Sequence, residues 1–221
     1  MRPGDATRFI VEHLRLAPVP GLADLLLYQA HSGSHLSELA PISAAPPYWA
    51  YPWAGGLALA QHFAAHPESV SGKHVLDLGA GSGLVGIAAG RAGAASVLAA
   101  DSDPLAHAAI TLNAAANGVS VTLCEVDLHQ APPAVDLIAA GDVFYEPGVA
   151  ALMLPFLRAA VVAGVDVLIG DPQRRDLPTE QLAAIASYPV GDVGDVRMRA
   201  ERVGWVYRVR RDQEYPHLAS P

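Results

Sequence analysis

The sequence predicts an α/β fold: a Rossmann-like, seven-stranded, mostly parallel sheet that ends in an antiparallel hairpin. Three observations predict it. Short apolar segments alternate with helix-like ones from residue 73 onward. One of those segments runs straight into a cluster of glycines and then into a helix. Near the end of the chain the pattern changes to a period of two.

Residues 4–16 read as a helix, with Asp5 as its cap and Pro18 and Pro20 beyond its end. Residues 22–29 are ambiguous between strand and helix. A helix is expected over 57–65, ended by Pro67. Strands are expected at 74–78, 96–100, 120–125, 135–140 and 165–169, each short, apolar and bounded by Gly, Asp or Pro. Helices are expected at 84–93, 104–117, 148–163 and 178–187. Pro104 suits a first-turn position, with Ser102 or Asp103 as cap. Residues 193–199 and 203–211 alternate about Ala200–Arg202, as in a hairpin. The chain reads as one domain over 1–221, with an N-terminal, partly helical extension over 1–56 and the core over 57–221.

Composition narrows the function. The 221 residues are 52% hydrophobic and 16% charged, a globular composition. The net charge of −8 opposes a phosphate backbone, so no nucleic-acid partner is expected. Arg174 and Arg175 form a small basic pair, and the arginines at 197, 199, 202, 208, 210 and 211, several spaced by two, read as a solvated sheet edge. Cys124 is the single cysteine, which leaves no intramolecular disulfide or multi-cysteine metal site, and its apolar run suggests a buried thiol. His31/His35 and His62/His66 have i, i+4 spacing but no third ligand nearby, so no metal is expected. Without a long apolar stretch, no membrane partner is expected and the protein reads as cytoplasmic.

The densest signal is Val75-Leu76-Asp77-Leu78-Gly79-Ala80-Gly81-Ser82-Gly83-Leu84-Val85-Gly86. Glycines allow a tight turn and a close backbone approach to a ligand. Gly81-x-Gly83-x-x-Gly86 alone also fits a dinucleotide loop. Asp77 argues against one: a carboxylate there suits a cationic group, such as the α-ammonium of a methionine moiety, better than a pyrophosphate. Asp101, ending the next strand, is placed to accept both hydroxyls of a ribose, which fits either cofactor.

The DxGxGxG segment resembles motif I of class I methyltransferases. Further motifs resemble the electron transfer flavoprotein β-subunit lysine methyltransferase family. They are Pro47-Tyr48-Trp49-Ala50-Tyr51-Pro52-Trp53-Ala54-Gly55-Gly56, Asp101-Ser102-Asp103-Pro104, Ala109-Ile110-Thr111-Leu112-Asn113, Gly141-Asp142-Val143-Phe144-Tyr145-Glu146 and Leu168-Ile169-Gly170-Asp171-Pro172. The resemblance spans roughly residues 46–175. It implies an S-adenosylmethionine-dependent protein-lysine N-methyltransferase whose partner is the electron transfer flavoprotein β subunit or a similar small protein. Ribosomal protein L11 methyltransferases and many amine N-methyltransferases carry a proline pair after the fourth strand. Residues 141–145 lack it, but a ribosomal protein or small-amine substrate remains the alternative, with a non-catalytic cofactor-binding module behind it.

By the same resemblance the cofactor is held by Trp53, Asp77, Gly79, Gly81, Ser82, Gly83, Asp101 and Asp127, with Asp127 receiving the adenine amino group. Asp142 and Tyr145 are the catalytic candidates, and with Phe144 they line the substrate pocket. A sulfonium is already activated, so the enzyme must mainly align and desolvate. A lysine at its ordinary pKa is neutral in only about one molecule in 2,500 at pH 7, a deficit of roughly 4–5 kcal/mol. Asp142 is placed to orient that amine or take its proton.

Overall fold

The computed structural model describes residues 3–39, 46–191 and 202–211. The parallel part of the sheet is β3 (His74–Leu78), β4 (Ser96–Ala100), β5 (Thr122–Leu123), β6 (Leu137–Gly141) and β7 (Asp166–Asp171); β5 is an exposed two-residue edge strand, shorter than the 120–125 expected. The sheet is completed by β8 (Leu182–Val190) and β9 (Arg202–Val209), giving the order β5-β4-β3-β6-β7-β9-β8. β9 runs antiparallel to both β7 and β8. The strand order reverses between β3 and β6, which opens a crevice at their carboxyl ends, the usual ligand position in such sheets.

Successive strand residues point to opposite faces, so two cores form. Val75, Leu137, Ala139, Leu168 and Val206 meet α2 (Ala54–Ala65) and α3 (Leu84–Arg91) on one face. Leu76, Ile138, Ala140, Val167, Ile169 and Tyr207 meet Phe156, Leu157 and Ala160 of α5 (Pro147–Val162) on the other. α4 (Pro104–Ala116) begins at the expected cap, where Asp103 accepts the Leu105 N–H at 2.8 Å.

Two expectations need correction. Residues 178–187 are not a helix: they form a short 3₁₀ turn followed by β8, an edge strand with a register shift between Ala184 and Ala186. β8, rather than 193–199, pairs with β9; residues 193–199, with Arg197 and Arg199, lie outside the described residues.

The N-terminal extension is also more than helical. α1 (Pro3–His13) is followed by an antiparallel hairpin, β1 (Arg15–Val19) and β2 (Leu22–Gln29), and the core helix α2 starts at Ala54 rather than at 57. Asn113 of α4 and Asn117, which caps its C-terminus, grip this hairpin. Asn117 accepts the Leu26 N–H at 2.9 Å and donates to the Leu26 carbonyl at 2.6 Å. Asn113, fully buried, accepts the Tyr28 N–H at 2.8 Å and donates to the Ser82 carbonyl at 2.8 Å.

Candidate active site

Four elements converge on the crevice: the loop after β3, the end of β4, the end of β6 and the Trp-containing segment before α2. The glycine loop turns because Gly79, Gly81 and Gly83 adopt φ values of +69°, +53° and +79°, where side chains are disfavoured. Its first two amides, Gly79 and Ala80, donate to the Ala100 carbonyl. A Cβ on Gly81 would meet Trp49 Cα at 3.8 Å, an ordinary van der Waals contact without overlap. Ser82 is buried and meets Asn113 through its carbonyl.

Asp77 sits beneath the loop, not in the crevice. It is 1% exposed and accepts the Gly86 N–H at 2.7 Å. Burial pushes its carboxyl up to about 7, against the pull of that N–H and with the neighbouring Asp101 adding to the rise. The carboxylate thus fixes the first turn of α3 and is enclosed away from the ammonium group expected beside it.

Asp101 is the first residue past β4, and two backbone amides bind its carboxylate. Oδ2 accepts the Gly81 N–H at 2.7 Å and Oδ1 the Asp103 N–H at 2.9 Å. Burial raises its pKa, and those two amides oppose the rise. Each oxygen keeps a lone pair for a hydroxyl donor. Asp127 is exposed on the loop beyond β5; the His129 N–H and the Gln130 side chain bind it and hold its pKa low.

Asp142, the first residue past β6, adopts φ +58°. Its Oδ2 accepts the Gly56 N–H at 2.9 Å, in the first turn of α2, where Trp53 supplies no side-chain cap. Asp142 therefore caps that helix from 86 residues away. Its Oδ1 is bonded to Arg174. Burial raises its pKa, and the Arg174 guanidinium opposes the rise.

This contact needs three glycines. A Cβ on Gly55 would lie 2.1 Å from the Gly170 carbonyl oxygen, and one on Gly141 2.9 Å from Gly56 Cα. Helix α2 thus meets the ends of β6 and β7 backbone against backbone.

Aromatic rings cover the opening. Tyr48 is 5.3 Å from Tyr145 and 5.8 Å from Trp53, centroid to centroid, and Tyr51 is 5.7 Å from Trp53. Tyr48 and Tyr145 are exposed, and the Trp53 indole N–H donates to the Tyr48 carbonyl at 2.7 Å. Phe144 departs from the expected pocket lining: its side chain is wholly enclosed in the core with Phe156 and Leu157. Trp49 is likewise buried, among α1 and α4 residues.

The sequence reading missed Tyr48, Arg174 and the glycine contacts. Arg174 stood out only as part of a surface basic pair. Glycines closing two neighbouring strands and opening a helix, Gly141, Gly170 and Gly55-Gly56, were the available signal for a close crossing. His62 bonds Tyr188, His66 pairs with Glu68, and no potential metal cluster of three or more ligands occurs among the described residues. Cys124 is partly rather than fully buried. No helix among the described residues is long and apolar enough to cross a membrane.

Residues 63–143 match the family model of ribosomal protein L11 methyltransferase (PrmA). The electron transfer flavoprotein β-subunit lysine methyltransferase of Rattus norvegicus is 44% identical over 131 residues, 58% of this chain and 51% of the relative. That of Xenopus laevis is 37% identical over 153 residues, 66% of this chain and 62% of the relative. The ribosomal protein L11 methyltransferase of Dichelobacter nodosus is 34% identical over 124 residues, 56% of this chain and 42% of the relative. The chain thus spans about half the length of the first of these relatives.

Among solved structures, the Pyrococcus abyssi tRNA (uracil-54, C5)-methyltransferase in complex with S-adenosyl-L-homocysteine superposes with a TM-score of 0.51 at 15% identity, over 69% of this chain and 38% of that one. TrmN from Thermus thermophilus superposes with a TM-score of 0.50 at 23% identity, over 80% of this chain and 52% of that one. The chain has the class I methyltransferase fold, and over its central part it is similar in sequence to the electron transfer flavoprotein β-subunit lysine methyltransferases.

Proposed function

We propose that the protein is an S-adenosylmethionine-dependent protein-lysine N-methyltransferase, acting on the electron transfer flavoprotein β subunit or a similar small protein. The observation that carries this reading is the pairing of two strand-end acids across one crevice. The Asp101 carboxylate is bound by two amides at the end of β4, and Asp142 follows β6, three residues before the exposed Tyr145. The residues fit the cofactor. Asp101 keeps acceptor capacity for a ribose diol, and the left-handed glycines of the loop present their backbone without side chains; Trp53 and Asp127 are proposed to complete the cofactor site. Bound there, S-adenosylmethionine supplies an activated methyl group.

The protein's own residues then have separate tasks. Asp101 and the loop orient the cofactor. Tyr48, Trp53 and Tyr145 offer ring faces to a cationic amine and exclude water from it. Asp142 orients the amine and receives its proton. The sign of the charges supports this: a carboxylate below an aromatic rim attracts an ammonium, and desolvation there favours the neutral amine that must attack.

The test is to incubate host extract lacking this protein with the purified enzyme and labelled S-adenosylmethionine, followed by mass spectrometry of the labelled bands. The expected result is one labelled protein carrying methyl increments on lysine. Label confined to small solutes would move the reading to a small amine. The reading also places the enzyme in the cytoplasm with no nucleic-acid partner; fractionation of host cells and labelling of extracts treated with nuclease check these two points.

A further inference from the structure

Arg174 stands between two acids. Its guanidinium is bonded to Asp142 Oδ1, while its Nε faces Asp171 Oδ2 at 3.8 Å, beyond hydrogen-bond range. Among the described residues neither that Nε–H nor that oxygen has a hydrogen-bond partner, although Asp171 is fully buried. A buried donor and a buried acceptor left facing each other are costly, and a shift of about 1 Å would join them. The backbone already holds the two residues in register: the Arg174 N–H donates to Asp171 Oδ1 at 2.6 Å, and Gln173 turns the chain between them with φ +67°.

Charge points the same way. Two carboxylates share one guanidinium, so the cluster lacks one cation. Asp171 is closed to solvent, whereas the side chains of Asp142 and Arg174 are 10% and 27% exposed. An arriving cation can therefore reach Asp142 but not Asp171.

We infer that Arg174 is a positioning residue: when the substrate ammonium binds Asp142, the guanidinium passes from Asp142 to Asp171, and each acid then holds one cation. Asp171 has no substrate contact in this scheme; it receives Arg174. The planar fork of arginine suits the transfer, because different edges face the two acids. The inference rests on the reading that Asp142 meets a substrate amine.

The experiment uses the full chain with S-adenosylhomocysteine and n-butylammonium, a stand-in for the lysine side chain. The readout is the Arg174 Nε–H signal in ¹⁵N NMR, assigned by its loss in Arg174→Lys. It is expected to shift as amine is added. Asp171→Asn is expected to abolish the shift and weaken amine binding about tenfold or more. If that variant does not fold, the titration of the unaltered protein decides alone. A signal that stays in place up to the highest amine concentration the fold tolerates overturns the proposal, as does Asp171→Asn with unchanged amine affinity. Failure of S-adenosylhomocysteine to bind in calorimetry would instead sink the cofactor reading, and the amine titration of the cofactor-free chain would still decide the role of Arg174.

Discussion

Asp101 and Asp142 occupy equivalent places, each the first residue beyond a parallel strand, yet their surroundings differ completely. Around Asp101 the chain is built from left-handed glycines and amide donors, with no overlap at a Cβ on Gly81. Around Asp142 it is built from glycines in extended or helical backbone that let α2 lie against the sheet, with a helix end and a guanidinium on the carboxylate. Glycine serves conformation in the first region and proximity in the second. An acid bound only by amides can still accept hydroxyls, whereas one bound by a cation is set up to exchange cations.

The contrast breaks most severely at Gly170. Gly170→Ala places a methyl 2.1 Å from the Gly55 carbonyl oxygen, so α2 must lift from the sheet. The expected loss exceeds about 4 kcal/mol, read by denaturant unfolding. Gly81→Ala, with no overlap at its Cβ, should cost only about 1–2 kcal/mol of backbone strain and leave a folded protein. Equal losses would erase the distinction between the two kinds of glycine.

Asp142→Asn should lower turnover about a hundredfold or more while S-adenosylhomocysteine affinity in calorimetry stays nearly constant. If the carboxylate takes the proton, the defect shrinks as pH rises toward the amine's pKa, because neutral amine becomes plentiful. A defect of constant size across that range would limit Asp142 to orienting the amine.

Asp101→Ala should do the reverse. Losing hydrogen bonds to two ribose hydroxyls, at about 1.5 kcal/mol or more each, weakens the cofactor by about a hundredfold. Asp101→Ala and Asp142→Ala with the same cofactor affinity would contradict the division of labour.

The smallest effect concerns Asp77. Its folded pKa of about 7 lies above the ordinary 3.8, so the folded state holds the proton more tightly. Its stabilising contribution is fully present below about 3.8 and is lost progressively as pH rises from there through about 7. Asp77→Asn, which still offers an acceptor to the Gly86 N–H, should stabilise by about 1–2 kcal/mol at alkaline pH and by little at about pH 3, below the ordinary carboxyl value. Thermal melts at the two pH values check it; an equal gain at both would assign the effect to packing.

The sheet centre was legible because strands buried on both faces must be short and apolar, and β3 and β4 fall where the pattern put them. β8 was not. Gln181-Leu182-Ala183-Ala184-Ile185-Ala186 has high helix propensity, and only pairing with β9 makes it a strand. Within the site, the glycine loop announced itself locally. The orientation of Asp77 did not, since whether its carboxylate looks up into the crevice or down under the loop depends on the turn of Gly86. Phe144 looked like pocket lining because it adjoins Asp142 and Tyr145, yet it faces the opposite core. Arg174 was hidden for a different reason: it meets Asp142 across 32 residues, and no local pattern announces such a pair.

The side-chain amide of Asn113 leaves a mechanical consequence. One end grips the hairpin at Tyr28 and the other the carbonyl of Ser82 in the glycine loop. A chain trimmed to begin at Ala54 would strand that buried oxygen, release the grip of Asn117 on Leu26 and uncover the α4 surface that α1 and Trp49 cover. Helix α1 and the β1–β2 hairpin thus act as a brace on a loop they do not belong to. A proteolytic nick among them would register first as weakened ligand binding, and only later as lost secondary structure.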